Sequence, residues 1–126
     1  MRIAAPLRAV SELEPLARAG ADEVFCGVMD LGSRPDYFPN GRPQPSANLS
    51  SFRELEQVAA LGRARGVSVL FCANAPQGRV QTGWLKDDIL RACAAGVSGL
   101  VLADHCLLEW AARQAPGLTL GMGTLC

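Results

Sequence analysis

A short phrase that recurs along the chain restricts its fold more than any other feature. In its clearest form it reads Gly20-Ala-Asp-Glu-Val-Phe-Cys-Gly27. A glycine ends a helix, a polar turn follows, and three apolar residues form a short strand. Related phrases begin at Gly66, Gly96 and Gly117. Each phrase is a return from a helix to a strand, so the pattern predicts strands and helices that alternate along the chain.

The composition of the predicted strands indicates a parallel sheet. Residues 67–73 are apolar almost without interruption, which is typical of a strand that is buried on both faces. The remaining predicted strands are 3–5, 24–26, 100–102 and 118–120, and the predicted helices are 11–20, 51–66, 84–95 and a last one capped by Asp104. The fold class is therefore α/β, with four β/α units and a fifth strand.

Two Ser-x-x-Glu sequences predict where helices begin. Ser11 with Glu14, and Ser51 with Glu54, both have the spacing of a capping box. A start at Ser11 leaves Pro15 just beyond the first helical turn, where proline is less favourable.

Two architectures fit this order of elements. A doubly wound sheet of five strands is complete at this length, whereas a β/α barrel needs eight units and roughly 250 residues. The 126 residues are expected to form one domain, and length alone favours the doubly wound sheet.

Charge and cysteine content exclude several classes of protein. Twelve basic residues balance twelve acidic ones, so the sequence gives no direct signal for nucleic acid or a membrane surface. No segment has the ~20 apolar residues of a membrane span and the opening residues lack the apolar core of a signal peptide, so we expect a cytoplasmic protein. Five cysteines without a C-x-x-C pair argue against a disulfide framework, and we expect Cys26, Cys72 and Cys93 to be buried packing residues.

A long irregular segment, residues 29–48, contains four prolines and cannot be helical. Loops of this length in compact domains are usually functional or disordered. Because the segment carries Arg34, Tyr37, Phe38 and Arg42, we interpret it as a lid-like loop; the alternative is a flexible insertion.

In both architectures, functional residues collect where strands end. The residues at those positions are Gly27, Asp30, Asn74, Asp104, His105, Thr124 and Cys126, together with the loop arginines. Asp104 also has the simpler role of a helix cap, and we expect His105 to be a solvated surface residue. The sequence contains no phosphate-binding glycine motif, no nucleophile elbow and no closely spaced set of metal ligands.

Several landmarks taken in order resemble one family. They are Ala5-Pro6, the Gly20–Gly27 phrase, the loop ending at Asn48-Leu-Ser50, Ala64-Arg-Gly66, the strand that closes in Asn74, Gly96-Val-Ser-Gly-Leu-Val-Leu-Ala-Asp104, and the helix and turn from Leu107 to Pro116. From about Arg2 to Leu120 the chain resembles the collagenase-like peptidase U-32 family. The resemblance implies the N-terminal half of a TIM-like barrel, against the argument from length.

The resemblance also implies a set of site residues. Gly27, Arg34, Asn48, Asn74 and Asp104 are at family-like positions and are expected to bind substrate. The family signature, Glu-x-Phe followed by two spaced cysteines and a serine, has no counterpart here, so no catalytic residue or metal ligand is carried over. We expect no cofactor in this chain, although some full-length relatives hold a cysteine-bound iron–sulfur cluster.

The implied function belongs to the complete family protein. That protein is expected to act as a peptidase, or as an iron–sulfur hydroxylation factor in ubiquinone or tRNA modification, while this chain alone is expected to be inactive. The alternative is an assembly module that pairs with itself or with a separately encoded C-terminal half-barrel, since open sheet edges and an apolar inner face favour association. A truncated product without an independent role is a third interpretation.

Overall fold

The computed structural model describes residues 1–30, 32 and 34–123. Within this part of the chain, five strands alternate with four α-helices. The strands are β1 (Ala4–Pro6), β2 (Glu23–Cys26), β3 (Ser68–Ala73), β4 (Gly99–Leu102) and β5 (Thr119–Met122), and the helices are α1 (Leu13–Arg18), α2 (Phe52–Arg65), α3 (Arg79–Ala95) and α4 (His105–Gln114). The predicted alternation is confirmed.

The strands lie in the sheet in the order in which they occur along the chain, and all neighbours are parallel. A doubly wound sheet reverses its winding at a switch point, so its spatial order departs from chain order. An unbroken order with crossovers of one hand places every helix on the same face, as in a β/α barrel. The doubly wound architecture favoured by length is therefore wrong, and the sheet is a partial barrel.

The two faces of the sheet differ in burial. Val24, Phe71 and Leu100 point toward the helices and are at most 1% exposed. Leu70 and Val101, at alternate positions, point to the opposite face, are half-buried and lie outside the core. The hydrophobic core is therefore between the sheet and the helices, and the inner face of the partial barrel is open.

Helix α2 begins as predicted. The Ser51 hydroxyl accepts a hydrogen bond from the Glu54 N–H at 3.2 Å. The Glu54 carboxylate accepts from the N–H of Ser50, at 3.0 Å, rather than from that of Ser51. The helix ends at Gly66, whose φ of 69° is in the left-handed region that glycine adopts readily.

The predicted capping box at Ser11 is wrong. Residues Val10–Glu12 form a 3₁₀ turn and α1 begins only at Leu13, without a side-chain cap. The later start places Pro15 inside the first helical turn, where a missing N–H breaks no helical hydrogen bond. The proline, rather than the Ser-x-x-Glu spacing, therefore agrees with the observed start.

Helix α3 is longer than predicted, since it begins at Arg79 instead of Trp84. Its first turn exposes Val80 and Gly83, so no apolar pattern marks it in the sequence. The Thr82 hydroxyl donates to the Gly78 carbonyl at 2.8 Å and closes this turn.

Candidate functional site

The mouth loop is the name used here for residues 29–48, and its described residues, 29–30, 32 and 34–48, pack against the carboxyl ends of β2 and β3. Backbone hydrogen bonds join the two ends of the loop: the Met29 N–H donates to the Leu49 carbonyl at 2.9 Å, and the Leu49 N–H donates to the Gly27 carbonyl at 2.9 Å. It is also bound to the residues after β3, where the Ala75 N–H donates to the Pro39 carbonyl at 3.3 Å. In the described residues the loop is thus a fixed cover, and a lid motion would have to break these bonds.

A pair of buried amides holds the loop above Gly27. Asn40 Nδ2 donates to Asn48 Oδ1 at 2.8 Å, and Asn48 Nδ2 donates to the carbonyls of Arg42 and Gln44 at 2.9 and 3.0 Å. The two asparagines are only 2% and 5% exposed. A Cβ atom at Gly27 would overlap Asn40 Nδ2 and would lie 2.6 Å from Asn48 Oδ1. Gly27 is therefore glycine because the amide pair occupies the space of a side chain.

Asn74 connects the loop to β3. Its Oδ1 accepts a hydrogen bond from the Gly41 N–H at 3.1 Å. Asn74 and Gly41 line a cavity of about 90 Å³ together with Phe25, Arg42 and Cys72. The structure thus places three of the predicted site residues, Gly27, Asn48 and Asn74, in one region at the mouth of the partial barrel. Their predicted role in substrate binding remains a prediction.

Arg34 lies apart from this group. Its Nη1 forms an ion pair with Asp88 Oδ1 on α3 at 2.6 Å, and the Tyr37 hydroxyl donates to Asp88 Oδ2 at 2.7 Å. The Asp88 side chain is 3% exposed. Burial alone would lower the pKa of Arg34, but the hydrogen bond and the charge of Asp88 raise it; burial, followed by Asp88, raises the pKa of Tyr37 strongly. Arg34 therefore anchors the mouth loop to α3.

Asp104 lies at a second cavity, of about 140 Å³, between α3 and α4. Its Oδ1 accepts from the N–H groups of Cys106 and Leu107 at 2.7 and 3.3 Å, which confirms the helix-cap interpretation. The same cavity is lined by Gln77 and Lys86. His105 is exposed in the first turn of α4, as predicted. Thr124 and Cys126 lie outside the described residues.

The cysteines do not form a metal site in the described part of the chain. Cys26 is on the helix side of the sheet, and strand alternation places Cys72 on the inner face. Burial, followed by the nearby Cys72, raises the pKa of Cys26 to about 12. Cys93 is on α3 and Cys106 on α4, and no three His, Cys, Asp or Glu side chains within the described ranges are grouped to hold a metal ion. The described cysteines therefore do not converge as a cysteine-bound iron–sulfur cluster would require.

This arrangement predicts different reactivity for two thiols. Because thiolate is the reactive form, Cys26, which is 0% exposed and has a raised pKa, should resist iodoacetamide in the native protein. The exposed Cys106 should be alkylated. Peptide mass spectrometry after brief labelling at mildly alkaline pH measures both, and unfolding in urea is the control that should make Cys26 reactive. Rapid native labelling of Cys26 would contradict the burial assigned here.

Two residues that organise the site, Asn40 and Asp88, were not predicted from the sequence. No sequence pattern marks Asn40, because its pairing with Asn48 depends on how the loop folds back on itself. Asp88 had a signal: it lies three residues after Leu85 and four before Ala92, within the buried stripe of α3. A carboxylate in such a stripe requires a partner, which here comes from the mouth loop.

None of the helices of the described residues is long and apolar enough to cross a membrane.

Comparisons with known proteins agree with this architecture. The family model of peptidase family U32 matches residues 8–126. Among solved structures, the U32 peptidase Mk0906 is similar, with a TM-score of 0.64 and 16% identity; the match covers 98% of this chain and 48% of that chain. At this identity the likeness shows the fold alone, and the chain spans about half the length of that structure. No curated protein matches the sequence at a significant level.

Proposed function

Because the chain belongs to peptidase family U32, we propose that it forms the N-terminal half of a peptide-binding barrel and is inactive as a peptidase until the barrel is closed. The mouth residues Gly27, Asn48 and Asn74 lie at the carboxyl ends of parallel strands, where β/α barrels bind their substrates. We propose that they form one wall of the peptide site. Asp104 and Arg34 were also predicted to bind substrate; in this proposal Asp104 caps α4 and Arg34 anchors the mouth loop to α3.

The open sheet is the single observation that carries the proposal. A β/α barrel has about eight strands, and the described residues supply five. The outer strands β1 and β5 each pair with one neighbour, and the inner face presents Phe25, Leu70 and Val101 partly exposed. We infer that a complementary segment with the remaining strands, in the same or another chain, covers this face. In the isolated chain, a second copy can cover the same open face and edges, but its five strands would not complete a regular eight-stranded barrel.

A hydroxylation role finds no support in the described thiols, which do not converge. A cytoplasmic location fits the proposal, since thiols such as Cys26, Cys93 and Cys106 stay reduced in that compartment.

An assembly module is the second candidate, and the same open face favours it. Unpaired strand edges and exposed apolar surface promote association without any chemistry. The two candidates differ in the mouth of the barrel, because a purely structural module does not require a ligand-accessible cavity lined by Arg42 and Asn74 there.

The proposed inactivity of the isolated chain is tested with gelatin and casein as substrates. We expect the purified 126-residue chain to release no peptide from either. The Gly27→Ala variant is the control for contaminating proteases, because activity that survives in it does not come from this site. Hydrolysis by the chain that the variant abolishes would contradict the proposal that closure is needed.

A further inference from the structure

Arg42 is held firmly at the mouth of the partial barrel. Its backbone N–H donates to Asn40 Oδ1 at 2.9 Å, and its carbonyl accepts from Asn48 Nδ2 at 2.9 Å. Its guanidinium lies over the Phe25 ring, 5.5 Å from the ring centre. The buried amide pair therefore fixes the backbone of Arg42, and the inner face of β2 supports its side chain.

Among the residues that the structure describes, the guanidinium has no anionic partner. Arg42 Nη2 is buried and has no hydrogen-bond partner among the described residues. The ion pairs of the described residues use four other arginines, namely Arg2, Arg8, Arg34 and Arg65. A buried cationic N–H group without an acceptor is unfavourable, so its retention requires an explanation.

The surroundings of Arg42 favour a small anion. On one side is the cavity of about 90 Å³, which has room for a small ligand group. On the other side is a groove of about 410 Å³ that Arg42 shares with Arg8, Glu12 and Ser46. Glu12 already accepts from Arg8 Nε at 3.3 Å. The groove therefore has two cations and one carboxylate, and Arg42 carries the unmatched positive charge.

We propose that Arg42 binds a carboxylate group of the substrate, such as the C-terminus or an acidic side chain of a peptide. A guanidinium presents two parallel N–H groups that match the two oxygens of a carboxylate. The apolar Phe25 ring beside it suits a compact planar group better than a tetrahedral, strongly hydrated phosphate. The identity of the ligand as a peptide rests on the proposed function, whereas carboxylate binding is measurable without hydrolysis.

The test is a binding titration of the 126-residue chain, followed by the Arg42 Nε–H signal in NMR spectra. The probes are acetyl-tetraalanine with a free carboxylate, the same peptide as its C-terminal amide, and inorganic phosphate. We expect the free carboxylate to shift the Arg42 signal and to bind about tenfold or more tightly than the amide and than phosphate. Equal binding of the amide, or tighter binding of phosphate, would overturn the assignment.

Variants separate recognition from folding. Arg42→Gln should weaken binding of the free carboxylate by about tenfold or more, and Arg42→Met, which keeps an unbranched stem over Phe25, should do the same without lowering the melting temperature. Arg53→Gln, which removes an exposed arginine of α2, should leave binding unchanged. Unchanged binding in folded Arg42→Met would refute the inference. Peptide cleavage by a closed barrel that carries this variant with unchanged KM would refute it too, while leaving the proposed function intact.

Discussion

Replacing Gly27 with alanine is expected to lower the free energy of unfolding by about 2–4 kcal/mol. The new methyl group would overlap Asn40 Nδ2 and crowd Asn48 Oδ1, and both side chains are buried. Relief requires the amide pair to separate, which leaves buried polar atoms without partners, or requires the strand to move. Urea unfolding followed by circular dichroism measures the change.

Gly83→Ala is the matched control for this substitution. Gly83 lies in α3 and is exposed, and apart from the neighbouring backbone of its own helix no atom lies within 4 Å of the position that a Cβ would take. The same change of residue should therefore stabilise the protein there, by roughly 0.5–1 kcal/mol, because alanine is the better helix former. Destabilisation at Gly83, or no effect at Gly27, would contradict the close contact assigned to the amide pair.

Replacing Asp88 with alanine is expected to have the second large effect. The substitution removes the acceptor of both the Arg34 ion pair and the Tyr37 hydroxyl bond. Loss of one partner from a buried pair costs about 3–5 kcal/mol, and the partial exposure of Arg34 should reduce the cost here to about 2–3 kcal/mol. The mouth loop also loses its attachment to α3, so its amides should exchange faster with solvent. Hydrogen exchange of residues 34–48, followed by mass spectrometry, measures this release.

The neighbouring carboxylate is the control for this effect. Asp87 is exposed on the same helix, and Asp87→Ala should change stability by no more than about 0.5 kcal/mol and leave exchange in the loop unchanged. Asp88→Asn keeps an oxygen that can accept from Tyr37, so its effect should fall between the two alanine variants. Equal exchange of the loop in the Asp87 and Asp88 variants would mean that the ion pair does not hold the mouth loop.

Local features of the fold could be predicted from the sequence because their causes are local. The turns from helix to strand at Gly66 and Gly96 depend on a glycine in the left-handed region. The start of α2 depends on the Ser51 hydroxyl, which accepts a hydrogen bond from the N–H three residues later. The order of strands in the sheet has no local cause. Length therefore favoured the wrong architecture, and the resemblance between landmark residues corrected it.

The candidate site could be predicted only as a set of positions. Strand ends identified Gly27 and Asn74, but the pairing of Asn40 with Asn48 depends on how the loop folds back. Arg34 was assigned to substrate because it is at a family-like position, whereas the structure pairs it with Asp88 on a distant helix. Arg34 and Asp88 are 54 positions apart, so the local sequence around either residue does not identify its partner.

The central claim is that this sheet is an incomplete barrel whose inner face requires a cover. Size-exclusion chromatography with light scattering, from micromolar to millimolar concentration, tests it most directly. The measured mass of the purified chain is expected to rise above the 13.3 kDa of one copy as concentration increases, because Leu70, Val101 and the edges of β1 and β5 are open. A mass of 13.3 kDa across the whole range would contradict it.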